Sequence, residues 1–298
     1  MSVEDGQSTA ETVGRYRLKT VRYAGAGLNI AADVDGAADA PAILFMHGGG
    51  QTRHSWKRAT RRAVEHGYRA ISIDLRGHGE SDWARDGYGL DDYVADARAL
   101  AMQIGPPVAV VGASLGGLTG LMLAGEKGPS LVRALVLVDV APRIEIEGAS
   151  QIQAFMSSAP DGFATVDEAA DAVGAYLPHR QRPANTDGLK KNLRLGEDGR
   201  YRWHWDPAMM NMGSRIDPEV QRAKLDDAAR SLTIPTLLVR GAISKVVSDE
   251  SVDEFLALVP HAEYVNVEGA DHMIAGDRND AFNDAVFDFL YRHRPARN

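Results

Sequence analysis

Val108-Ala-Val-Val-Gly112-Ala113-Ser114-Leu115-Gly116-Gly117 is the stretch from which the rest of the chain can be read. Its first four residues have the length and β-branched content of a buried strand, and Leu118 to Lys127 reads as a helix. Between them stands the pattern G-x-S-x-G. So tight a strand-to-helix turn holds its central residue in strained geometry, and Gly112 and Gly116 leave room for backbone and neighbouring side chains to approach. The turn pushes the Ser114 hydroxyl out of the sheet. The Leu115 amide faces the same space from a helix N-terminus, where partial positive charge favours a developing oxyanion. Gly112 to Gly117 also nearly spells G-x-G-x-x-G, a dinucleotide loop. Ser114 stands where that loop needs a bare middle glycine, so a nucleophile is the preferred reading over a nucleotide loop or an incidental serine.

Outward from this turn, short apolar runs recur at Ala42–Met46, Ala70–Ile73, Ala134–Val138, Thr236–Val239 and Tyr264–Val267. With helical patterns between them, they predict an α/β fold: a mostly parallel central sheet with helices on both faces. Leu90–Ile104 repeats apolar residues at three and four and predicts an amphipathic helix. Ala281–Tyr291 predicts a final helix with Phe282, Val286 and Phe289 on one side, and Gly25 to Gly27 a hairpin turn between early strands. The alternation lapses between about Ala141 and Leu232. The expected organisation is a mobile tail over 1–15, a core over 16–141 and 232–298, and a helical cap insertion over 142–231, lying over the crevice where open sheets bind ligands.

The composition narrows the function. The 298 residues are 44% hydrophobic and 25% charged, ordinary for a globular chain, and carry a formal charge of -8. An acidic surface argues against nucleic acid or an anionic membrane as partner and leaves a small-molecule substrate as the expectation. No Cys occurs, so thiolate nucleophiles and Cys-ligated metals are excluded. No signal peptide or membrane-spanning run is visible, which makes the cytoplasm the expected location. Neither a metal-ligand spacing nor a P-loop is present, and no cofactor is expected.

Two further loops follow strands. His47-Gly48-Gly49-Gly50-Gln51 exposes backbone N–H groups from a second direction, with Gly49 the candidate second oxyanion donor and His47 read as structural. Asp74-Leu-Arg-Gly-His78-Gly-Glu-Ser81 turns sharply and reads as architecture, His78 included. Taken with Gly269-Ala-Asp-His272-Met273, these motifs stand in an order that resembles the α/β-hydrolase superfamily, in a capped, serine-nucleophile form. The resemblance implies the chain order Ser, acid, His. It makes His272 the general base, since that residue follows the last strand and a Gly-containing turn, whereas His261 precedes the strand and His293 lies in the tail.

The acid departs from the family pattern. The loop after Thr236–Val239 carries Ser244 and Lys245 where similar proteins place an Asp. Asp139, at the end of the strand next to the nucleophile's, is the preferred partner for His272, because some members take their acid from there; Asp249 is the later alternative. Gln51, Trp203 and Trp205 are candidate substrate contacts, and His179 and His204 belong to the cap. From His179 to Arg202 seven basic residues face three acidic ones, which raises the prospect of an anionic substrate against the blander reading of a solvated face.

The expected function is therefore a serine hydrolase, independent of cofactor, that cleaves a small carboxylic ester or lactone through an acyl-enzyme. A C–C bond hydrolase or lyase would use the same Ser and His. A non-catalytic ligand-binding relative is the alternative that the missing Asp favours.

Overall fold

Alternate residues along each central strand face opposite ways, and this period of two sorts the core into halves. The computed structural model describes residues 18–85, 87–178, 182, 184–211, 217–270 and 279–295. Strands β1 (Lys19–Ala24), β2 (Asn29–Asp35), β3 (Ala42–Met46), β4 (Arg69–Ile73), β5 (Val108–Ala113) and β6 (Val132–Val138) precede a long insertion; β9 (Thr236–Gly241) and β10 (Glu263–Val267) follow it. They form one eight-stranded sheet in the order β1-β2-β4-β3-β5-β6-β9-β10. Only β1 and β2 run against their neighbours; from β4 to β10 every pairing is parallel.

Leu44, Met46, Val108, Val110, Leu135 and Leu137 pack on one face beneath α2 (Leu90–Ile104), α3 (Leu115–Lys127), α6 (Pro218–Arg230) and α7 (Asp249–Leu258). Ile43, Phe45, Ala109, Val111, Val136 and Val138 pack on the other beneath α1 (Lys57–Glu65) and α8 (Asn279–Arg292). The strands are buried on both sides, as continuous apolar runs demand.

The insertion between β6 and β9 holds α4 (Ile146–Met156), α5 (Val166–Tyr176), a small hairpin of β7 (Leu193–Leu195) and β8 (Tyr201–Trp203), and α6. It has its own apolar cluster, built on Met156, Phe163, Ala169, Trp203 and Trp205. The last helix of the insertion behaves differently. A Cβ on Gly125 of α3 would stand 2.7 Å from the Ala228 carbonyl of α6, so α6 lies tight on the core layer. Among the described residues, no helix is long and apolar enough to cross a membrane.

Candidate active site

Ser114 follows β5 directly, with φ 47 and ψ -116, and α3 begins at the next residue. A non-glycine residue in this region is strained, and such strain persists only where surroundings enforce it. They do so here through glycines. A Cβ on Gly112 would lie 2.3 Å from the Gly116 carbonyl oxygen, and one on Gly116 would lie 2.3 Å from that of Met46. The Gly116 N–H donates to the His47 carbonyl at 3.1 Å, which joins the turn to the neighbouring loop.

That loop, Gly48 to Gln51, lines a small cavity of about 50 Å³ together with Ser114, Ile152, Phe155, Met156 and Tyr176. Gln51 is on the wall, and its side-chain oxygen accepts from the Gly48 N–H at 3.1 Å. Gly49 is on the wall as well, and Leu115 is the first residue of α3, whose leading N–H groups have no carbonyl within the helix. Ser114, the α3 N-terminus and the glycine loop therefore converge at one end of the sheet.

Three buried histidines brace this loop. His47 Nδ1 donates to the Gly48 carbonyl (2.7 Å) while Nε2 accepts from the Leu75 N–H (3.0 Å). His78 Nδ1 donates to the Arg76 carbonyl (3.0 Å), and Nε2 accepts from the Gly50 N–H (3.1 Å). His204, from the insertion, accepts at Nδ1 from the Gly79 N–H (2.8 Å) and donates from Nε2 to the Gly50 carbonyl (3.3 Å). Each ring makes one donor and one acceptor contact, so each is a neutral imidazole with its tautomer set by backbone. Burial pushes the pKa of His47 down to about 4 and that of His78 to about 3, and lowers that of His204 well below its ordinary value. The structural reading of His47 and His78 agrees with these contacts. His204, which the sequence places in the cap, is buried at 1% exposure and is part of the frame. Its sequence gives no motif that would have revealed this. With both nitrogens of each ring engaged, the trio offers no lone pair to a cation, and among the described residues no cluster of metal-ligating side chains occurs.

Asp139 follows β6 as Ser114 follows β5. Ala113 pairs with Val138, so the two residues leave adjacent strands at the same level, and both have positive φ, 49 for Asp139. The Asp139 carboxylate is fully buried and accepts from the Gly241 N–H at 3.0 Å and from the Ser244 hydroxyl at 2.5 Å. The residue that replaces the usual acid is thus a donor to Asp139. Ser244 Oγ in turn accepts from the Val246 and Val247 N–H groups, which fixes its orientation. Asp249, the other candidate acid, opens α7, is largely exposed and pairs with Arg240. His272 lies outside the described residues. Ala270, two residues before it, is buried, and its carbonyl accepts from the Ile243 N–H at 3.0 Å, which keeps the chain beside the Ser244 loop.

Trp203 and Trp205 are buried, stacked on each other with ring centroids 5.0 Å apart, and Trp205 Nε1 donates to the Met156 carbonyl. They pack the interior of the insertion behind the cavity walls. The basic run is also largely committed. Arg182 pairs with Asp167 and Asp171, Lys190 with Asp187 and Arg202 with Asp198. Arg194 lies over the Trp83 ring, and Arg200 donates to the Asp161 and Gly162 carbonyls. His179 and Arg180 lie outside the described residues.

The sheet order, the strained serine and the glycine loop together define a hydrolase fold class, and comparison agrees: residues 41–278 match the α/β hydrolase fold family, to which this chain belongs. Esterase Rv0045c of Mycobacterium tuberculosis is 32% identical over 255 residues, spanning 83% of this chain and 82% of the relative. The 2-(acetamidomethylene)succinate hydrolase of Mesorhizobium japonicum is 32% identical over 238 residues, 78% of this chain and 82% of that one. A crystal structure of E-2-(acetamidomethylene)succinate hydrolase superposes with a TM-score of 0.81 at 26% identity, covering 92% of this chain and 100% of the other. An sn-1-specific diacylglycerol lipase of Mus musculus is 28% identical over 272 residues, covering 86% and 83%. The chain is accordingly a hydrolase by kinship, with esterases among its relatives.

Proposed function

We propose that the protein is a serine carboxylic ester hydrolase working through an acyl-enzyme, with lactones among the substrates this chemistry admits. The observation that carries the reading is Ser114, held in left-handed geometry at a helix N-terminus and opening onto a cavity walled by the Gly48 to Gln51 loop. Ser114 Oγ attacks the carbonyl carbon while His272 takes its proton. The tetrahedral oxyanion is received by the Leu115 and Gly49 N–H groups, His272 returns the proton to the departing alcohol, and water activated by the same imidazole releases the acid. Asp139 holds the imidazole in its productive tautomer and offsets its positive charge. These steps call only on side chains, backbone and water, and the substrate is a small molecule.

The relatives differ in what their names say they cleave: esters, an acetamidomethylene succinate, a diacylglycerol. The engagement of Arg182 and Arg202 by carboxylates, of Arg194 by the Trp83 ring and of Arg200 by backbone carbonyls weighs against an anionic substrate held by those arginines, and an uncharged ester fits the site better. The test is hydrolysis of p-nitrophenyl acetate together with labelling by a fluorophosphonate probe. Both are expected in the parent chain and absent from Ser114→Ala, and His272→Ala combined with Ser114→Ala should cost no more than either alone, because the residues act as a unit. Turnover near the parent level in Ser114→Ala would overturn the mechanism.

A further inference from the structure

Next to the small cavity at Ser114 lies a much larger one of about 840 Å³, walled by α4, α5 and the loop after β9. The two cavities share Ile152, Phe155 and Tyr176 as lining and so adjoin at these residues. Phe155 and Tyr176 stack there, centroids 4.3 Å apart and planes 13° from parallel. Ala154, Ala172, Ala175, Leu177 and Val246 supply much of the remaining wall. Three of its polar side chains are turned to other work: the Ser158 hydroxyl donates to the Phe155 carbonyl, Gln151 donates to Glu147, and Lys245 is 67% exposed and faces Glu147. On the same wall Ile243 is 56% exposed. A chamber of this size accommodates a ligand of many heavy atoms, and its lining provides few directional partners for polar groups.

We propose that this chamber binds an extended hydrocarbon substituent of the ester, and that the Phe155–Tyr176 pair is the threshold the substituent crosses between chamber and nucleophile. The proposal rests on the hydrolase reading of Ser114 and names the substrate class for it. The hydrocarbon could belong to either side of the scissile bond. If it is the acyl chain, the small cavity keeps the leaving alcohol short; if it is the alcohol, the acyl group is short. Burial of each methylene in such a chamber raises kcat/KM by about two- to fourfold until the chamber is filled.

The experiment compares two series on the purified full chain: p-nitrophenyl esters from acetate to decanoate, and alkyl acetates from ethyl to decyl. A stepwise rise in kcat/KM is expected in one series and identifies which side carries the hydrocarbon. Ala172→Trp, and separately Ala175→Leu, fill the chamber from α5, and each is expected to lower the long-to-short ratio of kcat/KM by tenfold or more. Calorimetric binding of 1-octanol to Ser114→Ala provides a readout that needs no turnover, with affinity expected to fall in the Ala172→Trp background. Acetate turnover with no rise in either series, and ratios unmoved by both variants, would overturn the chamber while leaving the hydrolase intact. Octanol binding sensitive to Ala172→Trp in a chain that hydrolyses no ester would uphold the chamber and overturn the hydrolase.

Discussion

At the scale of single residues the candidate site contains two positions in a conformation that L-amino acids seldom adopt, Ser114 and Asp139, each at positive φ one step beyond a strand. Such conformations survive because their neighbours leave no alternative. Gly116→Ala should therefore be among the most damaging of small changes: its methyl would stand 2.3 Å from the Met46 carbonyl oxygen, and backbone rather than a flexible tip would have to yield. A loss of about 3 kcal/mol or more is expected, read as a lower denaturant midpoint. For the acid, Asp139→Asn should reduce kcat on the order of 10⁴-fold with the fold retained, as when an imidazole is left in the wrong tautomer. Ser244→Ala removes one hydroxyl donor from a buried carboxylate and should lower stability by about 1.5–3 kcal/mol, with a smaller loss of turnover. Full turnover in Asp139→Asn would return the role to another carboxylate. Ser114 and the glycine loop were legible because their motif prescribes a geometry. The use of Ser244 was not: a serine in a loop carries no sign of its partner, and Asp139 is 105 residues away along the chain.

At the scale of elements, apolar runs located the core strands to within two residues at either end, and Leu90–Ile104 is a helix over that whole span. Buried strands and amphipathic helices are written in periodicity, which is local. The bracing of the Gly48 to Gln51 loop by three histidines is not local, since the Gly50 carbonyl meets a ring 154 residues later in sequence. That bracing has a pH dependence whose sign follows from the depressed pKa values. Unfolded histidines protonate near 6.5, whereas His47 and His78 resist to about 4 and about 3. The stability they contribute is complete above pH 6.5 and is lost as the pH falls from there toward 4, because protons then bind preferentially to the unfolded chain. Arg53 and His54 reinforce the depression at His47, and Asp74 opposes it at His78. Each ring adds a slope of about 1.4 kcal/mol per pH unit in this window. Urea unfolding at a series of pH values should show that steepening, and His204→Gln should remove about one ring's share; an unchanged slope would mean that His204 is not buried neutral.

Across the whole molecule the basic run from His179 to Arg202, weighed as an anion rim against a solvated face, has Arg182, Lys190 and Arg202 in local ion pairs and Arg194 and Arg200 engaged by a ring and by backbone carbonyls, and a prediction belongs to that scale. An uncharged diester and its monoester with a free carboxylate should not show a monoester preference, and their ratio of kcat/KM should change less than about twofold between low and high salt, since unpaired cations are what make such a ratio salt-sensitive. A monoester advantage that fades with salt would restore the basic rim. Length and composition gave the class of molecule, but no count of Arg and Lys could say which carboxylates they would meet after folding. One other long-distance feature has a temporal meaning. The face formed by Phe45, Trp56, Ala59 and Ala63 is covered by α8, with Trp56 against Phe282, the Tyr68 hydroxyl donating to the Leu290 carbonyl and Arg62 paired with Asp284, contacts that in the last two cases join residues 222 positions apart. On the ribosome, those aromatic residues emerge long before the helix that shelters them. The nascent chain must carry an open greasy flank through most of its translation, and at roughly 5–20 residues per second that exposure lasts for tens of seconds at the slower rate. Shielding by a chaperone would matter most in that interval, and a ribosome stalled before α8 would release a chain prone to clump rather than a smaller working enzyme.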